Sequence, residues 1–61
     1  SHMNSHEGQE FNYVLEGSMT LCIGHNEIDL HAGDAVYYDA KNPHSMQAMG
    51  GVCRFLAVIA K

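Results

Sequence analysis

The chain reads as a succession of short runs in which apolar and polar residues alternate, each closed by glycine, asparagine or proline. Phe11-Asn12-Tyr13-Val14-Leu15 is aromatic and β-branched, and Glu16-Gly17 ends it. Met19-Thr20-Leu21-Cys22-Ile23 alternates up to Gly24-His25-Asn26, and Glu27-Ile28-Asp29-Leu30 alternates again. A period of two marks a half-buried strand, because successive side chains point to opposite faces. Further strands are predicted over 35–38 after the Gly33-Asp34 turn, over 44–49 after Asn42-Pro43, and over 52–59 after Gly50-Gly51. No stretch carries a convincing helical period. Short strands about ten residues apart, punctuated by Gly and Pro, predict an all-β antiparallel sandwich or barrel.

The first and last strands add a second expectation. Phe11, Tyr13 and Leu15 share one face of the first and Val14 takes the other; Phe55, Ala57 and Ile59 share one face of the last, with Leu56 and Val58 opposite. Apolar residues on both faces imply that both are covered. The segment 4–61 has too few strands to do this alone, which predicts a homodimer that packs sheet on sheet or shares edge strands.

Length sharpens this. Ser1-His2-Met3 reads as the scar of a cleaved purification tag, leaving 4–61 as a single domain. A domain of about 60 residues buries only about 60% of the surface its unfolded chain exposes, so it usually needs a metal, a disulfide or a partner. With 46% hydrophobic and 16% charged residues the chain is globular rather than disordered. Its three Lys and Arg, the scattered Lys41, Arg54 and Lys61, stand against seven Asp and Glu. That argues against direct nucleic-acid contact by this segment, which would need a basic stripe. No apolar run nears the roughly 18 residues of a membrane span, and no signal peptide is visible. The two cysteines, Cys22 and Cys53, fit a reduced, cytoplasmic protein. A Cys22–Cys53 bridge is left open; the alternative is two buried small hydrophobes.

The candidate chemistry lies in "NSHEGQEFNYVLEG", residues 4–17, where three residues separate His6 from Glu10. Four residues of flat strand span roughly 13 Å, too far for two side chains to share an ion. Gly8 argues against a helix and permits a bend at Glu7-Gly8-Gln9 that returns His6 to Glu10. The alternation then places Asn12 and Val14 on the face of Glu10. If the strands over 11–15 and 44–49 are close in the sheet, His44, which follows Pro43, joins the pair. Two imidazoles and one carboxylate leave open positions on a divalent transition metal such as Zn, Fe, Mn, Ni or Co.

The spacing of His6, Glu10, Gly17, Gly33-Asp34 and Pro43-His44, with "HEGQEFNYVLEG", "HAGDAVYYDAKNPH" and the closing "FLAVIA", resembles the two motifs of the cupin superfamily over nearly the whole chain. The resemblance implies a small antiparallel double-stranded β-helix barrel, often dimeric, with metal ligands at His6, Glu10 and His44. The superfamily's usual first histidine falls on Asn4. An amide oxygen is a weaker ligand for these metals, so the implied set is three residues with Asn4 as an optional fourth. The second motif is only partly kept, with Asp39-Ala40-Lys41-Asn42-Pro43 in its centre. The wording is most similar to the C-terminal sensor cupins of bacterial helix-turn-helix regulators. That likeness implies an excised piece whose truncated barrel is completed by dimerisation.

Two functions follow from one site. The first is a metal- and small-molecule-binding module, the effector-sensing part of a bacterial transcriptional regulator. The alternative is a metal-dependent enzyme of dioxygenase, isomerase or lyase type, with Tyr38 and Glu10 as possible proton handlers. A cavity serving only oligomerisation ranks last, because inward polar residues would then lack a ligand to offset their desolvation. His25 and His31 read as exposed loop residues. Tyr37 and Tyr38 point to opposite faces, so only one lines the barrel. Met46 and Ala48 share a face with His44 and read best as core packing. Gly17, Gly24 and Gly33 read as turn residues, with Asp34 capping its turn.

Overall fold

The computed structural model describes residues 3–61; Ser1 and His2, part of the tag-scar reading, lie outside the described residues. Six strands follow one another: β1 (Gln9–Glu16), β2 (Ser18–Ile23), β3 (Asn26–His31), β4 (Ala35–Asp39), β5 (His44–Ala48) and β6 (Arg54–Ala60). Among the described residues there is no helix. The expected strands are all present. The first is longer than its apolar run, because Gln9 and Glu10 also pair with β4 and β6. The last begins at Arg54 rather than 52, since Val52 and Cys53 are irregular chain that follows the bend at Gly50-Gly51.

The strands form two antiparallel sheets, ordered β4-β1-β6 and β3-β2-β5. The chain crosses between them at Gly17, at the Gly33-Asp34 turn, and before and after β5. Gly17 adopts φ +80° where β1 passes into β2, a left-handed conformation that costs an L-residue energy. The Gly33-Asp34 turn is tied down on three sides. The Gly33 amide donates to the Val14 carbonyl (2.9 Å), the Val14 amide to the Asp34 carbonyl (3.0 Å), and the His31 amide to the Asp34 carboxylate (2.8 Å). Asp34 therefore caps its turn as its sequence position implied.

Register decides which face of each strand enters the core. In β1, Glu10, Asn12 and Val14 are buried, while Phe11 and Leu15 on the opposite face are exposed. Val14 packs with Met19, Leu21, Leu30 and Tyr38, and Ile23, Val36, Met46 and Cys53 close around them. This core is small. Burying a residue such as Leu21 contributes about 1.5–3 kcal/mol, so few such terms hold the two sheets together.

The structure bears on three expectations. First, β1 and β5 are not neighbours in one sheet; they belong to opposite sheets and face each other across the core. Second, β6 is exposed along its whole length on both faces, so within the chain neither face is covered and the expected cover is left to a second chain. Third, Cys22 and Cys53 are half-buried free thiols rather than fully buried hydrophobes, and no disulfide joins them. Tyr38 is buried and Tyr37 is 65% exposed, in line with their opposite orientations.

Candidate metal centre

The approach to β1 is shaped by one glycine. Gly8 takes φ +95°, and the chain bends at Glu7-Gly8. The bend is pinned to buried Ala40: the His6 amide donates to the Ala40 carbonyl (3.0 Å), and the Ala40 amide donates to the Gly8 carbonyl (2.9 Å). His6 is thereby folded back until its Nε2 stands 3.1 Å from Glu10 Oε1. From the opposite sheet, His44 brings its Nε2 to 3.4 Å from the same oxygen. Glu10 and His44 are almost wholly buried, whereas the His6 side chain retains 33% exposure and forms the solvent-facing side of the cluster.

The other ring nitrogens are committed. His44 Nδ1 donates to the Asn42 carbonyl at 2.8 Å, and His6 Nδ1 donates to the Glu7 carbonyl at 3.1 Å. A proton held on Nδ1 leaves the Nε2 lone pair free, the arrangement a metal-binding histidine needs. Two such lone pairs then meet a carboxylate oxygen, and the three repel one another unless a positive charge lies between them. The turn that supplies the Asn42 carbonyl is itself braced: Asp39 accepts from the Lys41 amide (3.0 Å) at its carboxylate and from the Asn42 amide (3.2 Å) at its carbonyl. The His44 ring is wedged edge-on between His6 and Tyr38, with ring centres 5.2 and 5.1 Å away.

This donor set fits a transition metal. The ligating atoms of His6, Glu10 and His44 all lie within 4.8 Å of one another. Ligands on adjacent positions of an ion bound at about 2.1 Å stand about 3.0–3.4 Å apart, which matches the two nitrogen–oxygen separations. Two imidazoles with one carboxylate suit Zn, Fe, Co, Ni or Mn and leave further positions open.

Asn12 and Tyr38 complete the environment of Glu10. Asn12 Nδ2 donates to Glu10 Oε2 at 2.9 Å, and the Tyr38 hydroxyl donates to Asn12 Oδ1 at 3.1 Å. Burial alone would raise the Glu10 pKa, but hydrogen bonding, led by the Asn12 amide, outweighs it and holds the carboxyl below its ordinary value. Burial, then the adjacent Glu10 carboxylate, push the Tyr38 hydroxyl well above the ordinary tyrosine range. Tyr38 is thus a hydrogen-bond donor at neutral pH. Sequence reasoning set Asn12 on the face of Glu10 but missed its role. The available signal was a polar residue at an inward position between Glu10 and Val14.

The Glu10 shift has a definite sign. A folded pKa below the ordinary 4.5 means that the ionised carboxylate contributes stability that is fully present above that pH. It is lost as the pH falls through the lower folded value. Metal-free Glu10→Gln is therefore expected to show a flatter stability curve below pH 4.5 than the parent, read by urea unfolding at a series of pH values.

Asn4 lies beside the cluster. Its backbone forms an antiparallel bridge with His44, donating at 2.7 Å and accepting at 2.8 Å. Residues paired in this way carry their side chains on the same face. The exposed Asn4 side chain lines a cleft of about 420 Å³ between β5 and β6, with Met46, Ala48, Cys53 and Phe55. Met46 is half-buried and Ala48 exposed, so both line this cleft, and Ala48 is not the core residue expected. The cleft opens next to the His6–Glu10–His44 cluster rather than over it, since none of these three residues lines it. His25 and His31 are exposed and away from the cluster; His31 ends β3, where its Nδ1 stands 2.8 Å from the Ser18 hydroxyl.

A two-sheet antiparallel fold with two histidines and one glutamate converging inside it defines a β-barrel-like protein with a potential metal centre. The sequence matches the family model of the cupin domain over residues 1–59, and the chain belongs to that family. Comparison with curated proteins and with solved structures gives no match.

Proposed function

We propose that this cupin domain holds one divalent transition metal on His6, Glu10 and His44, with Asn4 as an optional fourth ligand, and serves as the effector-sensing part of a bacterial, cytoplasmic transcriptional regulator. The observation that carries the metal reading is the convergence of two Nε2 lone pairs and one carboxylate oxygen, with each Nδ1 already engaged. When bound, the ion would supply Lewis acidity and open coordination positions to a small ligand. The chain's own residues do the rest. Glu10 and the two histidines orient the donors, and the neighbouring cleft offers about 420 Å³ for a small molecule.

A sensor must pass on its occupancy, and a homodimer is the proposed route. Phe11, Tyr37, Leu56 and Val58 are all exposed, and their register places them side by side on the outer face of the β4-β1-β6 sheet. Such a patch is costly to leave in water and suits a second copy of the chain. The enzyme reading draws on a different observation, the partial exposure of His6, which gives solvent and substrate a way to the open positions.

The deciding experiment is elemental analysis of protein purified without a nickel column, repeated on His6→Ala, with sedimentation of both. About one transition metal per chain, lost in the variant, is expected, together with a dimer at micromolar concentration. A metal-free folded protein would remove the metal reading, a monomer would remove the dimer, and a parent reading frame without a helix-turn-helix would remove the regulator.

A further inference from the structure

Glu10 has two carboxylate oxygens, and the fold treats them differently. Oε1 faces both histidine Nε2 atoms, at 3.1 and 3.4 Å, whereas Oε2 accepts a hydrogen bond from Asn12 at 2.9 Å. Asn12 is fully buried and cannot turn freely, because its Oδ1 accepts the Tyr38 hydroxyl at 3.1 Å. The Glu10 carboxylate decides which end of the amide is which, because it can only accept: the nitrogen faces Glu10 and the oxygen faces Tyr38. Tyr38 is anchored in turn by burial in the core and by the edge-on contact with His44.

Buried polar side chains are costly in so small a core unless each is satisfied, and here each satisfies the next. Asn12 sits opposite Val36 on one side and Ala57 on the other, positions where an apolar residue would pack. An amide at this point therefore calls for an explanation beyond packing. We propose that Asn12 and Tyr38 are positioning residues that confine Glu10 to single-oxygen coordination of the metal, with Oε2 withheld by the Asn12 amide. The proposal rests on the metal reading above. Its consequence is a centre with one coordination position more for an incoming ligand than a two-oxygen glutamate would leave.

Outer partners of metal ligands typically change affinity by about 10–100-fold when removed. Replacing both members of a buried polar pair by apolar groups of like shape is nearly neutral for stability, whereas removing one strands the other. The double variant Asn12→Leu/Tyr38→Phe therefore separates positioning from packing. It keeps the branching at position 12 and the aromatic edge against His44, and it frees Glu10 Oε2.

Titration of the full chain with Zn(II) by calorimetry, with Co(II) absorption spectra and metal-free thermal melts alongside, tests this. The expected result is a folded protein with a lowered metal-free melting temperature, because the buried Glu10 Oε2 loses its donor, Zn(II) affinity lowered about 10–100-fold, and an altered Co(II) spectrum as Glu10 adopts a new binding mode. Unchanged affinity and spectrum in the folded double variant would overturn the proposal while leaving the metal centre intact. If the double variant does not fold, Tyr38→Phe alone decides. A several-fold loss of affinity supports the relay, and parent-like binding overturns it. A parent that binds neither ion removes the metal centre itself, and the positioning roles with it.

Discussion

His44→Ala is expected to lose metal binding altogether, with Zn(II) affinity down by more than about 100-fold, since even partners outside the coordination shell are worth about 10–100-fold. His44 is the one ligand contributed by the β3-β2-β5 sheet; His6 and Glu10 approach from β1 and the segment before it. Removing it therefore unties the metal from one of the two sheets. Thermal melting shows the consequence. An ion present at 100 times its dissociation constant stabilises a native protein by about 2.7 kcal/mol. In a domain of 60–100 residues that corresponds to a rise of roughly 10–20 °C. The parent should show this rise on adding Zn(II), and His44→Ala should show none. Because alanine also leaves a cavity and an unsatisfied Asn42 carbonyl, His44→Gln is the companion variant that better preserves volume. A Zn(II)-dependent rise in both variants would mean that His44 is not a ligand.

Gly17→Ala is expected to have the largest effect on folding. A Cβ at Gly17 would overlap the Val52 carbonyl oxygen and stand 3.2 Å from Cys53 Cα, both backbone atoms that cannot swing aside. The residue also holds φ +80°, where an L side chain is strained by about 1–3 kcal/mol. Displacing the backbone before β6 adds about 1–3 kcal/mol more, as overpacking does elsewhere. Domains hold roughly 0.05–0.15 kcal/mol per residue, so this chain has only about 3–9 kcal/mol to lose. Gly24→Ala is the control. It too has a positive φ, of +58°, but its Cβ meets nothing within 4 Å, so only the strain of about 1–2 kcal/mol remains. Urea unfolding of the two variants should place the Gly17→Ala midpoint far below that of Gly24→Ala. Equal midpoints would show that strand β6 yields at this crossing.

Much of the fold was legible in the pattern of residues. Strand identity was readable because short alternating or β-branched runs end at turn residues, and the turn glycines at 17, 24 and 33 all adopt positive φ. The bend at Gly8 was readable because four residues of extended chain cannot bring His6 to Glu10, and glycine permits the alternative. The partnership of β1 with β5 was misjudged as in-sheet. Strand pairing between distant segments depends on how the chain crosses from sheet to sheet, and alternation along one strand carries no record of that crossing. Ala48 was misjudged for a related reason: it lies on the inward side of a strand whose neighbouring space is a cleft rather than core.

What the sequence by itself determined is the set of strands, the shared face of Glu10, Asn12 and Val14 in β1, and three ligand-type residues at a spacing that only a bend could reconcile. Those properties are local, set by side-chain period and by backbone freedom at single glycines. What only the tertiary structure decided is the polarity of the site. Facing sheets bring His44 Nε2 and His6 Nε2 to one oxygen of Glu10, while Asn12 and Tyr38 claim the other. That division depends on contacts between residues up to 38 positions apart in the chain, His6 and His44, whose approach follows from packing two sheets over one small core.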